Sequence, residues 1–342
     1  MAGLRQIIKL FGITNLTQQN SNLKNYRFLS YITKEYKETN DPRPYFFNND
    51  VQNILLKLTR SELQKIFRKK GMGPLEDATF KFLTDEQLQQ ELDKMRKKSV
   101  ELLQFPPAVA VRKPLDRVFS SDPALIGYET SKVVFTDITF GLKDNQRLIV
   151  IREPDGVLRE AAWNDRDRIN QVYFPRAHRQ LKAPPLFNGN YFEDILNRKE
   201  YLFILDLACQ QFEPDDSEYQ RVVSITYQHI YDNNEFEKLR STRHFGSLTF
   251  FLVWNKMIDN LLLDLIESCH IEEANLLIEL YGRIHNISLL QENDDEYKML
   301  EDFIKKHSTK TAVLELALQA TKDFLKQKEI VEEGIKKAHG HS

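Results

Sequence analysis

No aspartate or glutamate occurs among the first 34 residues, where Arg5, Lys9, Lys24, Arg27 and Lys34 stand unopposed until Glu35. A surface helix of ordinary composition seldom runs so long without an acid. A secretory signal is excluded for a different reason, since Lys9 interrupts the roughly 7–15 apolar residues its core requires. On a helix at about 100° per residue, Leu4, Ile8 and Phe11 share one face and Arg5 and Lys9 another. A basic, acid-free, amphipathic start predicts a mitochondrial transit peptide over residues 1–29, with Arg27 three residues ahead of a cut between Leu29 and Ser30. Loss of that segment takes four positive charges from a chain of net charge −2, leaving a mildly acidic mature protein.

Cysteine is scarce as well. Cys209 and Cys269 are the only two, each in a helical pattern with no second Cys or His at metal-ligand spacing. A disulfide framework and a zinc site are not indicated, and buried free thiols are expected. Apolar residues nowhere run for the roughly 18 positions of a membrane-spanning helix, because the greasiest stretch, 248–263, is broken by Asn255, Lys256, Asp259 and Asn260. Among 12 glycines the one close pair, Gly71-Met72-Gly73, is followed by Pro74 and Leu75 and lacks Gly-Lys-Ser/Thr, so it reads as a turn and not a phosphate loop. No Gly-x-Ser-x-Gly elbow or His-Glu-x-x-His helix occurs. His270-Ile271-Glu272 lacks the Pro-Cys-x-x-Cys partner of zinc deaminases. Asp215, Asp216 and Glu218 fall where a helix N-terminus favours negative charge. No catalytic residue, cofactor or metal site is assigned, although a triad built from distant positions leaves no local signature.

With 41% hydrophobic and 11% aromatic residues the chain can bury a real core as two domains or one elongated one. The expected fold class is α+β, predominantly α-helical: a small antiparallel β-meander followed by a helical bundle or helix-hairpin array. An N-terminal helical segment (30–105) opens with a helical pattern from 50 to 71, which Thr59-Arg60-Ser61-Glu62 splits in two. A short strand is expected over 79–83. Thr84 with Gln87 then opens a helix that carries Leu88, Leu92, Met95 and Leu102 on one stripe and ends at Phe105-Pro106-Pro107. Residues 106–131, with Pro106, Pro107, Pro114, Pro123 and Gly127, read as an extended connector. The 132–182 segment offers three strand-like runs, 133–140, 147–152 and 157–161, separated by Asp144-Asn145 and Pro154-Asp155-Gly156. A basic helix capped by Asn164 follows them. A C-terminal helical scaffold (190–337) is expected as helices over 191–197, 200–212, 216–231, 235–255, 258–269, 271–285, 295–307 and 310–337. A frayed tail (338–342) ends the chain.

The basic clusters are the functional candidates. Arg166, Arg168, Arg176, Arg179 and Lys182 face a single acid, Asp167, with His178, Tyr173 and Phe174 interleaved. Arginine forks onto phosphate oxygens and stacks on bases, so this stretch is the leading candidate for RNA contact. Arg240 and Arg243, three apart, are placed on one helix face as a second candidate, and Lys94, Arg96, Lys97 and Lys98 form a third. The competing reading is structural: Arg166 and Arg168 alternate with Asp165 and Asp167 as a paired face, and lysines are favoured at helix C-termini in any case.

Longer strings carry a resemblance. Arg152-Glu153-Pro154-Asp155-Gly156-Val157-Leu158-Arg159, then Trp163, Arg166-Asp167-Arg168 and Gln171-Val172-Tyr173-Phe174-Pro175, resemble the central block of the animal mitochondrial small-subunit ribosomal protein family numbered twenty-two. Val134-Phe135-Thr136-Asp137-Ile138, Gln211-Phe212-Glu213-Pro214-Asp215 with Glu218-Tyr219, and Leu239-Arg240-Ser241-Thr242-Arg243 with Phe245-Gly246 agree in order and spacing. Together these cover roughly residues 50 to 285. The N-terminal region departs from the family pattern, and residues 286–342 match as a generic helical tail. The resemblance implies a structural protein of the mitoribosomal small subunit in the mitochondrial matrix, without known catalytic activity, set among small-subunit rRNA and neighbouring ribosomal proteins. It transfers no defined RNA-binding motif, so the arginine assignments stand on the charge argument. The rival expectation is a matrix helical-array adaptor acting on transcripts or proteins outside the ribosome.

Overall fold

A computed structural model describes residues 41–67, 80–127, 130–287 and 296–338. In chain order the elements are α1 (Asn49–Thr59), α2 (Asp85–Leu102), β1 (Val118–Ser121), β2 (Val133–Thr136), β3 (Ile149–Arg152), β4 (Val157–Glu160), α3 (Trp163–Tyr173), α4 (Gly189–Asn197), α5 (Tyr201–Gln211), α6 (Ser217–Asn233), α7 (Arg243–Trp254), α8 (Asp259–Glu267), α9 (Ile271–His285), α10 (Glu296–His307) and α11 (Thr311–Ala338). Single helical turns, Arg43–Phe46 and Leu63–Ile66, flank α1. The class is α+β and predominantly helical, as the periodicity indicated. The predicted transit peptide, the Gly71-Met72-Gly73 turn and the tail from residue 339 lie outside the described residues. No helix among those described is long and apolar enough to cross a membrane.

Two compact units share these elements. One comprises the described residues of Met1–Ala110, Tyr201–Leu205 and Val223–Ser342. Its centre is α7, buried from His244 to Trp254 and contacted by α1 and α9. The α1 residues Val51, Ile54, Leu55 and Leu58 are buried, each contributing about 1.5–3 kcal/mol of transfer free energy. Phe46 meets Phe250 edge-on at 5.0 Å, and Tyr281 meets Phe303 in the same way at 5.2 Å. Gly246 leaves room for the Phe105 ring, whose atoms would lie 2.6 Å from a Cβ there.

The helix expected over 235–255 is interrupted. A 3₁₀ turn at Phe236–Lys238 precedes a break in which Ser241 takes φ 60°, and α7 restarts with Thr242 as its N-cap. The break has a tertiary cause, because it caps another helix. The last carbonyls of α1 lack intrahelical donors. Leu58 O accepts from Arg240 Nη1 at 2.8 Å and Thr59 O from Ser241 N at 2.9 Å, while Arg60 O accepts from the Ser241 hydroxyl. The split of the 50–71 pattern is found at Arg60, where φ is 56°. Thr59 is no N-cap, however, since its hydroxyl donates back to Leu55 O at 2.8 Å.

Thr84 and Gln87 form the expected reciprocal capping box at the start of α2. The strand expected just before it is absent over the described residues 80–83, which lie exposed without regular structure.

The second unit comprises Val111–Glu200 and Asp206–Val222. Its antiparallel sheet has the order β1-β4-β3-β2. The three expected strands are present but shorter. The fourth, β1, arises inside the Pro-rich segment and pairs with β4 through Ser121↔Val157 and Ser120↔Leu158. In β3, Ile149 and Ile151 alternate inward and form a small core with Ala161, against which Ile169 of α3 packs. The turn at Asp155-Gly156 closes as expected, with Gly156 N donating to Glu153 O at 3.0 Å. Gly156 has φ +83°, and a Cβ there would sit 2.1 Å from Asp122 O. Helix α3 starts one residue before the predicted cap, with Ala162 as N-cap and no side-chain bond. Both cysteines lie outside any disulfide and are half-buried, not buried as expected, the Cys209 thiol 3.6 Å from the Tyr219 hydroxyl.

Candidate nucleic-acid interface

Packing of α3 onto the sheet decides the fate of the leading arginines. Arg166 faces inward and is 4% exposed. Its Nη2 donates to Asp144 O at 3.3 Å, to Asn145 O at 3.1 Å and to Arg147 O, and its Nη1 pairs with Glu160 at 3.6 Å. Burial lowers its pKa, the cost of holding a guanidinium among carbonyls. Arg147 does similar work: it donates to Asp137 O at 2.6 Å and Thr139 O at 3.0 Å, with its guanidinium 3.6 Å from the centre of the Phe174 ring. Residues 137–147 are therefore held by two arginines whose charges serve the fold.

Beside them lies a cleft of about 320 Å³ lined by four cations, Arg112, Lys143, Arg166 and Arg176, and four acids, Asp144, Asp167, Glu213 and Asp215. Arg112 bridges Asp167 at 2.7 Å and Asp216 at 2.8 Å and lies 4.5 Å from the Trp163 ring centre. Burial pushes the Asp216 carboxyl above its usual range even with Arg112 beside it. Asp216 also caps α6, accepting from Glu218 N at 2.9 Å. Arg176 pairs with Asp144 at 2.6 Å and with Glu213, and Arg179 pairs with Glu213 at 3.0 Å. The positive charge read from the sequence is thus largely cancelled by acids distant along the chain. Arg168 and Lys182 remain exposed, with no carboxylate paired to them among the described residues.

In the other unit, Arg240 is 2% exposed and precedes α7, so it does not share a helix face with Arg243. Besides Leu58 O it meets Glu273 at 3.4 Å and Asp264 at 3.6 Å, with its guanidinium 4.2 Å from the Phe245 ring centre. Burial lowers its pKa and raises that of Asp264. Arg243 is partly exposed, its Nε 3.4 Å from His244 Nε2. On α2, Lys94 pairs with Glu91 at 2.7 Å and Arg96 with Asp93 at 3.1 Å, leaving Lys97 and Lys98 exposed and unpaired among the described residues.

Of the candidates, the structure places Arg166 and Arg240 inside, enclosed by carbonyls and carboxylates, whereas Arg168 and Lys182 are exposed. Sequence reading overlooked Arg112 and Arg147, which carry no periodicity and whose partners lie up to 104 residues away. Among the described residues no group of three His, Cys, Asp or Glu side chains could hold a metal ion.

Comparison with known proteins agrees with the strings quoted above. The family model for mitochondrial 28S ribosomal protein S22 matches residues 44–286. Small ribosomal subunit protein mS22 of Mus musculus is 36% identical over 288 residues, spanning 83% of this chain and 80% of its own. The Bos taurus protein of that name is 35% identical over 283 residues, spanning 81% and 79%. Matches of this extent and identity, over both compact units, mean that the chain belongs to the mitochondrial 28S ribosomal protein S22 family.

Proposed function

We propose that this protein is a structural constituent of the mitochondrial small ribosomal subunit, held in the matrix among rRNA and neighbouring ribosomal proteins, with no catalysis of its own. The family match over residues 44–286 carries this reading. The geometry agrees with it, because internal arginines such as Arg166 and Arg240 fix loops and helix ends while Arg168 and Lys182 stay exposed. Contact with rRNA is then by phosphate and shape, centred on Arg168 and Lys182 with Arg176, Arg179 and Arg243 in supporting positions. Base-specific readout is not part of it.

Sedimentation of mitochondrial lysate containing the tagged protein tests the assignment. Co-migration with the small subunit, shifting when RNA is digested, is expected. A light, RNase-indifferent species would overturn it. Changing Arg168 and Lys182 together to Ala should leave the fold intact and lower the slope of log affinity against log salt by about 1 to 2, since each phosphate contact contributes roughly 0.7–0.9. An unchanged slope would remove both residues from the interface.

A further inference from the structure

Residues 175–182 have no regular secondary structure, yet two glutamine side chains hold their backbone at five points. Gln171 of α3 takes three of them. Its Oε1 accepts from Arg176 N at 3.3 Å, and its Nε2 donates to Arg176 O at 3.4 Å and to Arg179 O at 2.8 Å. Gln211, the last residue of α5 and 6% exposed, takes the other two, accepting from Gln180 N at 3.0 Å and donating to Gln180 O at 2.9 Å. A carboxamide that accepts from and donates to one residue stands in for the neighbouring strand that this segment lacks. Glu213, just beyond Gln211, accepts from both Arg176 and Arg179, so the turn after α5 holds side chains as well as backbone.

The pinned segment presents its middle to solvent. Arg179 N donates to Arg176 O at 3.3 Å, closing a turn in which His178 takes φ 65°. The other non-glycine residues of positive φ among those described lie within two residues of a helix end. His178 lies in mid-loop, in a conformation that glycine adopts with less strain. Ala177, His178, Gln180, Leu181 and Lys182 are exposed. No aspartate or glutamate occurs from Arg168 to Phe192, and the acids that approach from elsewhere, Asp144 and Glu213, are paired with Arg176 and Arg179. Lys182 therefore offers an unpaired charge and His178 a ring donor, both of which suit phosphate oxygens. A loop that is ordered beforehand avoids the entropy a mobile one loses on binding.

We propose that residues 175–182 form a pre-ordered rRNA-docking loop, with His178 and Lys182 on the phosphate backbone and Gln171 and Gln211 as the positioning residues that hold them there. The proposal rests on the ribosomal reading and names the element through which this unit meets RNA.

The test measures binding of the full chain to small-subunit mitochondrial rRNA, transcribed in vitro, over a range of salt and below the melting temperature of every variant. Gln171→Leu and Gln211→Leu remove the amides at similar volume. Each should weaken binding about tenfold and leave the slope of log affinity against log salt unchanged, because the same phosphate contacts form once the loop is ordered. Lys182→Ala should instead lower that slope by roughly 0.7–0.9. His178→Gly, which suits the left-handed backbone, should weaken binding without lowering Tm. Gly156→Ala, which destabilises the same unit in the turn between β3 and β4, should bind as the unaltered chain does. Full-strength binding by either glutamine variant would overturn the proposal. A fall in their slope, or an equal loss in Gly156→Ala, would also overturn it, since the glutamines would then be general supports of the fold. In mitochondria, ultraviolet crosslinking of the tagged protein should attach rRNA within residues 175–182, and RNA crosslinks confined to other segments, crosslinks to protein alone or none at all would overturn the docking. The two readings fail separately: co-sedimentation with the small subunit without an RNA crosslink in this loop sinks the docking alone. A chain that sediments as a light species, while its glutamine variants lose rRNA affinity as stated, sinks the ribosomal reading alone.

Discussion

Arg240→Met separates a structural arginine from an RNA-binding one. The substitution keeps most of the side-chain volume and deletes the guanidinium, which bonds Leu58 O at 2.8 Å and faces Glu273 at 3.4 Å and Asp264 at 3.6 Å. Stranding the Leu58 carbonyl costs about 1–3 kcal/mol. Breaking a buried ion pair costs about 3–5 kcal/mol when it leaves a lone charge, but Glu273 keeps Arg60, bonded through Nε at 2.6 Å and Nη2 at 2.8 Å. Methionine also escapes the burial that lowers the pKa of Arg240. The net loss should be about 2–3 kcal/mol, or roughly 5–10 °C in Tm at about 2–4 °C per kcal/mol. Thermal melting by circular dichroism measures it on the full chain. A Glu273→Gln partner in a double-mutant cycle should show coupling above about 0.5 kcal/mol. An unchanged Tm combined with weaker RNA association would refute the reasoning, placing Arg240 on phosphate and leaving α1 uncapped by it.

Gly156→Ala should destabilise the sheet unit by about 3 kcal/mol or more, because a Cβ would press on Asp122 O in a backbone region that disfavours L side chains. A melt within about 1 °C of the unaltered protein would contradict that contact. Cys269 ends α8 at φ 61°, with its N–H on Ile266 O at 3.0 Å and the next N–H on Leu265 O at 2.9 Å, an arrangement that favours glycine. Cys269→Gly should therefore gain about 0.5–1 kcal/mol in chemical denaturation, and a loss would refute it. Burial holds the His285 imidazole below its usual pKa, with Nε2 2.9 Å from Val253 O. The unfolded chain then binds the proton more tightly, so this contribution to stability is full above about pH 6.5 and is lost as pH falls toward the folded value. His285→Gln should flatten the decline in Tm below pH 6.5, and parallel curves would remove His285 as its cause.

Local features were legible in the sequence. The capping box at Thr84 and Gln87, the Asp155-Gly156 turn and the bounds of α9 all depend on groups within four residues of one another, so short-range spacing carries them. The strand inside the Pro-rich segment was not legible, because β1 exists only through pairing with β4 across nearly forty residues. The continuous helix expected over 235–255 failed for the same kind of reason. Its break answers carbonyls of α1 that lie 182 residues back along the chain.

The charge argument divides in the same way. Residue type alone settled that arginines concentrate in 166–182, that acids are missing from the first 34 positions, and which family the strings resemble. Which arginines remain available was a tertiary decision, since Glu213, Asp144, Glu160 and Glu273 reach their partners only after the chain folds. Sequence determined the helical class, the local caps and the family, because covalent order fixes periodicity and short-range hydrogen bonding. Tertiary structure alone decided that Arg166 and Arg240 serve the interior while Arg168 and Lys182 face outward, because neutralisation and burial depend on distance in space and not along the chain.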